Sequence, residues 1–124
     1  MPRGTLTYRR GEIWWVDLEP VVGRETGKKR PCLILQNDIG NKNGVTTIVA
    51  PLLPGTKTYP FVVNIAPTPQ NGLDKARHIN LSQMRAVDAR RIESKQGILE
   101  NIYWQDIEKA VSIELGFSSA FKSR

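Results

Sequence analysis

The chain has 124 residues, 40% of them apolar and 24% charged, with a net charge of +6. That length holds one domain with one modest core, and a second core would be difficult to build. No apolar run approaches the roughly 18–20 residues that span a bilayer. The N-terminus also lacks the apolar centre of a signal peptide, so a cytoplasmic protein without membrane contact is expected.

Residues 1–9 read as a flexible arm. The stretch 11–18, GEIWWVDL, is short and rich in β-branched and aromatic residues, and it stops before Pro20. It reads as a strand with Trp14, Val16 and Leu18 on one face and Ile13, Trp15 and Asp17 on the other. Residues 20–30 form a charged, glycine-containing loop, long for a hairpin connection. PCLILQ, 31–36, is a continuous apolar run, the mark of a strand buried on both faces. NDIGNKNG reads as a polar loop, VTTIVAPL as a strand, and LPGTKTYP as a loop with a Pro-Gly turn signal. FVVNI is a strand and APTPQNGLD a loop. HINL and MRAVD are two short strands or one bent one.

The last segment changes period. Ile107, Ala110, Val111 and Leu115 recur at helical spacing, with Trp104 one turn earlier. This predicts a helix over 101–116, with Asn101 as N-cap and Gly116 as its stop. The order of elements, about five to seven short strands and then a helix, predicts a mainly β, α+β fold. A small, strongly curved antiparallel sheet or partial barrel fits that order. No boundary divides 1–124 into separate domains.

Candidate chemistry is sparse. There is no Walker-type glycine loop and no GxSxG, and the acids are scattered. Cys32 is the only cysteine and lies in an apolar strand pattern, so it reads as a buried structural thiol. His78 is the only histidine and reads as a surface or structural residue. One Cys and one His cannot build a four-ligand zinc site, and no metal or cofactor is expected. The basic charge points to polyanionic partners, nucleic acid first, with a merely solvated basic face as the alternative.

The cations concentrate in one loop. Arg24, Lys28, Lys29 and Arg30 crowd beside a single acid, Glu25. Arg30 differs from the others because Pro31 restricts its backbone to extended conformations and a buried strand anchors it. A rigidly held guanidinium suits a phosphate or a developing phosphorane. Lys57 and Tyr59 in KTYPF join a cation to a stacking ring, although Phe61 reads as core or interface. Ser82, Gln83 and Arg85 in SQMR are polar groups on an apolar strand that call for a partner. Trp14 and Trp15 point to opposite faces, so one of them is free to lie at a subunit interface.

The stretch RRGEIWWVDLEPVVGRETGKKRPCLILQND resembles the opening of the MazF/PemK-type toxins of bacterial toxin–antitoxin modules. Arg10, Gly11, Glu12, Ile13, Trp14, Val16, Leu18 and Pro20 match the first motif. Gly23, Glu25, Arg30 and Pro31 match the second. IVAPL, KTYPF and LSQMRAVDARRI extend the resemblance over about residues 9–117. It implies an SH3-like barrel with a terminal helix, usually a homodimer. It also implies a metal-independent endoribonuclease that cuts single-stranded RNA at short motifs. There the RNA's own 2′-hydroxyl attacks the adjacent phosphate, and the arginine matching Arg30 stabilises the phosphorane. Glu25 would fix the loop by pairing with a nearby cation, or move a proton. The implied protein partner is an antitoxin with an acidic, disordered tail.

Two positions depart from the pattern. Leu53 stands where many members carry a Thr or Ser whose hydroxyl contacts the scissile phosphate, and Thr56, three residues on, would substitute for it if the loop folds back. Ser82 stands where some members carry an acid. The general base is left unassigned. The related CcdB-type toxins, which bind DNA gyrase without nuclease activity, supply the alternative, as does a degenerate member that only binds RNA or antitoxin.

Overall fold

The protein is described here by a computed structural model, which covers residues 7–117. Seven strands pair antiparallel throughout: β1 (Glu12–Asp17), β2 (Lys29–Ile34), β3 (Thr46–Pro54), β4 (Val62–Ile65), β5 (Arg77–Asn80), β6 (Arg85–Asp88) and β7 (Ile92–Ile98). The order is β4-β5-β3-β2-β1-β7, with β6 also on β3. The nine-residue β3 serves two partners on one side, β6 along its first half and β5 along its last three residues.

Strand pairing leaves the sheet open. Its bend follows from the connectivity. β6 and β7 flank the run β3-β2-β1, yet only the 3-10 turn Ala89–Arg91 separates them in sequence. The sheet must curl to bring these strands together, which gives the barrel-like shape without a closing strand pair.

The curl creates two apolar clusters where length alone argued for one. Ile13, Leu33, Leu52, Val63, Ile65 and Ile79 pack beneath α2 (Trp104–Leu115) together with its Ile107 and Ala110. Trp14, Val16, Cys32, Ile34, Val49 and Ile92 form the second cluster on the other face. The alternation in β1 and the unbroken apolar run in β2 produce this directly, because successive strand residues point to opposite faces. Tyr8 is buried in the second cluster, so the end of the expected arm is fixed. The rest of that arm, residues 1–6, lies outside the described residues.

Three elements differ from expectation. NDIGNKNG contains the short helix α1 (Asp38–Asn43), because Asn37 Oδ1 accepts from the Gly40 N–H at 2.8 Å and caps it. Strand β7 has no counterpart in the sequence reading, since Glu93, Ser94 and Lys95 hide its period on an edge. Asn101 is not an N-cap: it opens the 3-10 turn Asn101–Tyr103, and α2 begins at Trp104 without a side-chain cap. Gly116 ends α2 as expected, with φ 74° in the left-handed region. Among the described residues no helix is long and apolar enough to cross a membrane.

Candidate active site

Arg30 is the second residue of β2, paired with Val16 of β1. It is half-buried, and its Nε donates a long hydrogen bond of 3.4 Å to the Gly27 carbonyl. It projects from the same face as Cys32. Burial pushes the Cys32 thiol up to about 12, against the opposing pull of the Arg85 and Arg30 charges. Both guanidinium groups therefore act on one buried sulfur. Cys32 itself stays a protonated thiol and is no nucleophile. Arg85, on β6, is held by Nη1 donating to the Leu18 carbonyl at 3.0 Å.

The loop between β1 and β2 is secured through its main chain. The Leu18 N–H donates to the Lys28 carbonyl at 2.9 Å, and the Lys28 N–H donates to Glu19 Oε2 at 2.6 Å. Lys28 adopts φ 67°, and a Cβ at Gly27 would stand 2.3 Å from Glu19 Oε2. Glycine before a left-handed residue is what lets the Glu19 carboxylate close in. Glu25 Oε1 accepts from the Val22 N–H at 2.7 Å. Glu25 thus sits in its own loop's turn and pairs with no cation among the described residues. Gln83 Oε1 accepts from the Thr26 N–H at 3.0 Å and ties the loop to the turn that precedes β6.

This bonding sorts the expected cations. Arg24 and Lys28 are exposed and have no ion pair among the described residues. Lys29 alternates to the face opposite Arg30 and pairs with Glu93 at 2.9 Å. That carboxylate raises the Lys29 ammonium above its ordinary value. Arg30, Arg85, Gln83 and the 18–28 loop come together, whereas Lys29 stands apart.

The SQMR segment is mostly not strand. Ser82 and Gln83 lie in the 3-10 turn Leu81–Gln83, and only Arg85 belongs to β6. Ser82 Oγ donates to Asn80 Oδ1 at 2.6 Å, which engages it locally. The β2–β3 pairing ends at Cys32 and Pro51, and Leu53, two residues on from Pro51, pairs with His78 of β5. Thr56 and Lys57 follow in an exposed turn. Tyr59 is exposed and stacks on Phe61, with ring centroids 5.3 Å apart and planes 5° from parallel. His78 is buried with its Nδ1 3.0 Å from the Gly55 carbonyl, the structural alternative of the two expected for it.

Sequence reasoning missed Glu19, whose carboxylate closes the loop. Its one signal was an acid just before Pro20 at the end of a strand. A second feature lies behind the site, an apolar groove of about 620 Å³ between α2 and the β3/β6 region. Leu35, Ile48, Met84, Val111 and Leu115 line it, and Arg85 reaches its edge. At one end Arg10 stacks on Trp104, 4.2 Å from the ring centroid.

Comparison with known proteins places this geometry. Residues 9–115 match the sequence profile of the PemK-like, MazF-like toxin of type II toxin–antitoxin systems. A Staphylococcus epidermidis protein named endoribonuclease MazF is 35% identical over 112 residues, 90% of this chain and 93% of the relative. The crystal structure of MazF from Deinococcus radiodurans superposes with a TM-score of 0.76 at 23% identity, covering 90% of this chain and 99% of that one. A mycobacterial endoribonuclease, solved in complex with its cognate antitoxin, gives a TM-score of 0.73 at 19% identity over 89% and 96%. The last two likenesses establish the fold. The profile and the staphylococcal relative establish the lineage: the chain belongs to the PemK-like, MazF-like toxin family of type II toxin–antitoxin systems.

Proposed function

We propose that this protein is the toxin of its module and a sequence-specific, metal-independent endoribonuclease acting on single-stranded RNA in the cytoplasm. The observation that carries the reading is Arg30, a guanidinium fixed on a strand beneath a loop whose acids bind main-chain N–H groups. The RNA supplies the nucleophile. Its 2′-oxygen bonds to the adjacent phosphorus, the bond from phosphorus to the 5′-oxygen breaks, and a 2′,3′-cyclic phosphate and a 5′-hydroxyl result. The 2′-hydroxyl loses a proton and the 5′-oxygen gains one. Arg30 stabilises the extra charge on the phosphorane, with Arg85 adding field from β6. Arginine is a poor acid, so its part is electrostatic. Glu25 holds the loop, and Arg24, Lys28, Lys57 and Tyr59 meet the RNA strand. Gln83 keeps the loop and the 81–83 turn together. Lys29 contributes only long-range field.

The acidic, disordered tail of a cognate antitoxin would compete for the same cations. The apolar groove by α2 is the surface a second copy would cover, making the working form a homodimer. The test is direct: incubate the purified protein with one long RNA in EDTA and map the new ends. Discrete cuts ending in 2′,3′-cyclic phosphate support the reading, and an uncut RNA rejects it. Leu53, in place of the hydroxyl many members carry, leaves room for one rival, a toxin that binds DNA gyrase without cutting RNA. Inhibition of supercoiling by a protein that leaves RNA intact would select it.

A further inference from the structure

His78 lies on β5 between Leu53 of β3 and Asn64 of β4, paired with both. Residues paired across antiparallel strands share a face. Their neighbours Leu52, Ile79, Val63 and Ile65 enter the core beneath α2. Asn64, His78 and Leu53 therefore project from the opposite face, as Cys32 and Arg30 do.

The turn after β3 folds back onto this row. Gly55 takes φ 82°, in the left-handed region, and its N–H donates to the Ala76 carbonyl at 3.0 Å. The His78 ring reaches the Gly55 carbonyl through Nδ1 at 3.0 Å. Since a carbonyl only accepts, Nδ1 carries the proton. Asn64 then grips both main-chain groups of the next residue but one. Its Oδ1 accepts from the Lys57 N–H at 3.0 Å, and its Nδ2 donates to the Lys57 carbonyl at 2.9 Å. The turn's backbone is held from the sheet side, while Thr56, Lys57 and Tyr59 stay exposed.

We propose that Asn64 and His78 are positioning residues that set the RNA sequence preference by holding the 55–57 turn as a fixed wall on the Arg30 face. This rests on the reading of the chain as an RNA-cleaving toxin. A hydroxyl, an ammonium and a ring discriminate between bases only if their spacing survives the approach of the wrong one. A turn already ordered also spends less binding free energy on ordering. The reacting phosphate here belongs to Arg30 and the Thr56 hydroxyl is assigned to the bases instead, so the clamp acts on binding and selection, not on the chemical step.

The test compares Asn64→Ala, Asn64→Asp, His78→Ala and His78→Asn in the full chain. The readouts are KM and kcat on a short RNA carrying the preferred site, the cut profile on a long RNA, thermal unfolding, and amide exchange at Lys57. Asn64→Ala removes two hydrogen bonds, so KM should rise about tenfold with kcat nearly constant and the cut profile broadened. Asn64→Asp keeps the acceptor for the Lys57 N–H but loses the donor, and should fall between. Asparagine places an N–H close to that of Nδ1, so His78→Asn should restore the preference lost in His78→Ala. If His78→Ala does not fold, Asn64→Ala on its exposed strand position and His78→Asn still decide the matter. Faster Lys57 exchange with parental KM and profile would overturn the proposal, as would parental exchange in Asn64→Ala. A wild-type protein that cuts no RNA rejects the underlying reading instead, and the exchange measurement still reports whether the clamp exists.

Discussion

Gln83 and Thr26 are 57 residues apart in sequence, yet the side-chain carbonyl of one accepts the main-chain N–H of the other at 3.0 Å. This is the one side-chain bond among the described residues that ties the 20–27 part of the cationic loop to the Leu81–Gln83 turn. Removing it leaves the strands intact and frees the loop. Gln83→Ala should lower kcat/KM by about tenfold, with little change in unfolding temperature. Limited proteolysis should then cut within residues 22–27 faster than in the parent. Equal proteolysis rates would show that the loop is held by other means.

On the proposed mechanism, Arg30→Ala removes the charge that would stabilise the phosphorane. Loss of one such stabilising group typically costs about 10²–10³ in kcat, and that is the expected loss in EDTA on a single-site RNA. Arg30→Lys should recover only part of it, because an ammonium lacks the planar fork. Because the Arg30 side chain is half-buried and makes only one long hydrogen bond among the described residues, both variants should fold. Parental cleavage by Arg30→Ala would remove this residue from the mechanism.

Ile48 and Leu115 bring 39% and 55% exposed apolar side chains to the groove beside α2. A charge there opposes burial of that surface. Leu115→Asp and Ile48→Asp should each shift a dimer toward monomer in sedimentation velocity while the circular dichroism spectrum is kept. A parental sedimentation coefficient for both variants would place the dimer contact elsewhere.

Glu12 links the first strand to an edge. Its carboxylate accepts from the Trp14 indole and the Arg9 N–H, both at 2.9 Å, and pairs with Lys95 at 3.0 Å. Burial alone would raise its pKa, but the bonds from Trp14, Lys95 and Arg9 more than offset this and hold it below the ordinary 4.5. A folded-state pKa below the unfolded one stabilises above the unfolded value. That contribution is lost as pH falls below 4.5 and through the lower folded value. Glu12→Gln should lose about 1–2 kcal/mol at pH 7, and the gap to the parent should narrow toward pH 3 in denaturant titrations. A gap that stays constant with pH would rule out the charge as its source.

Cys32 is fully buried, and its thiol is pushed up to about 12. Iodoacetamide at pH 8 should leave it unmodified in the folded protein and alkylate it in denaturant, as read by mass. Rapid labelling of the native protein would contradict that burial.

Much of this was legible from residue order. Alternation in β1 and the unbroken run of β2 placed both apolar faces, and Pro31 behind Arg30 marked a cation with a rigid base. The C-terminal helix followed from spacing and Gly116. What was hidden depends on contacts that only the folded backbone makes. Glu25 reads as a partner for neighbouring cations until the fold presents the Val22 N–H to it. Gln83 gives no local sign of Thr26, and an isolated histidine gives none of Gly55. β7 was concealed because an edge strand need not alternate cleanly when polar side chains face water. Two cores were missed because length bounds total burial and says nothing of how a curled sheet divides it.

Glu19 and Glu25 both spend their carboxylates on main-chain N–H groups. The loop's acids are therefore occupied without neutralising Arg24 or Lys28, whose charges stand bare and surrounded by small ions from solution. A bound polyanion displaces those ions, and the entropy of their release becomes part of its affinity. Each phosphate met by one of these side chains should add about 0.7 to the slope of log affinity against log salt on a single strand. Grip on RNA would then be tuned by ionic strength, while Arg30, shielded on its strand, keeps its place at any salt.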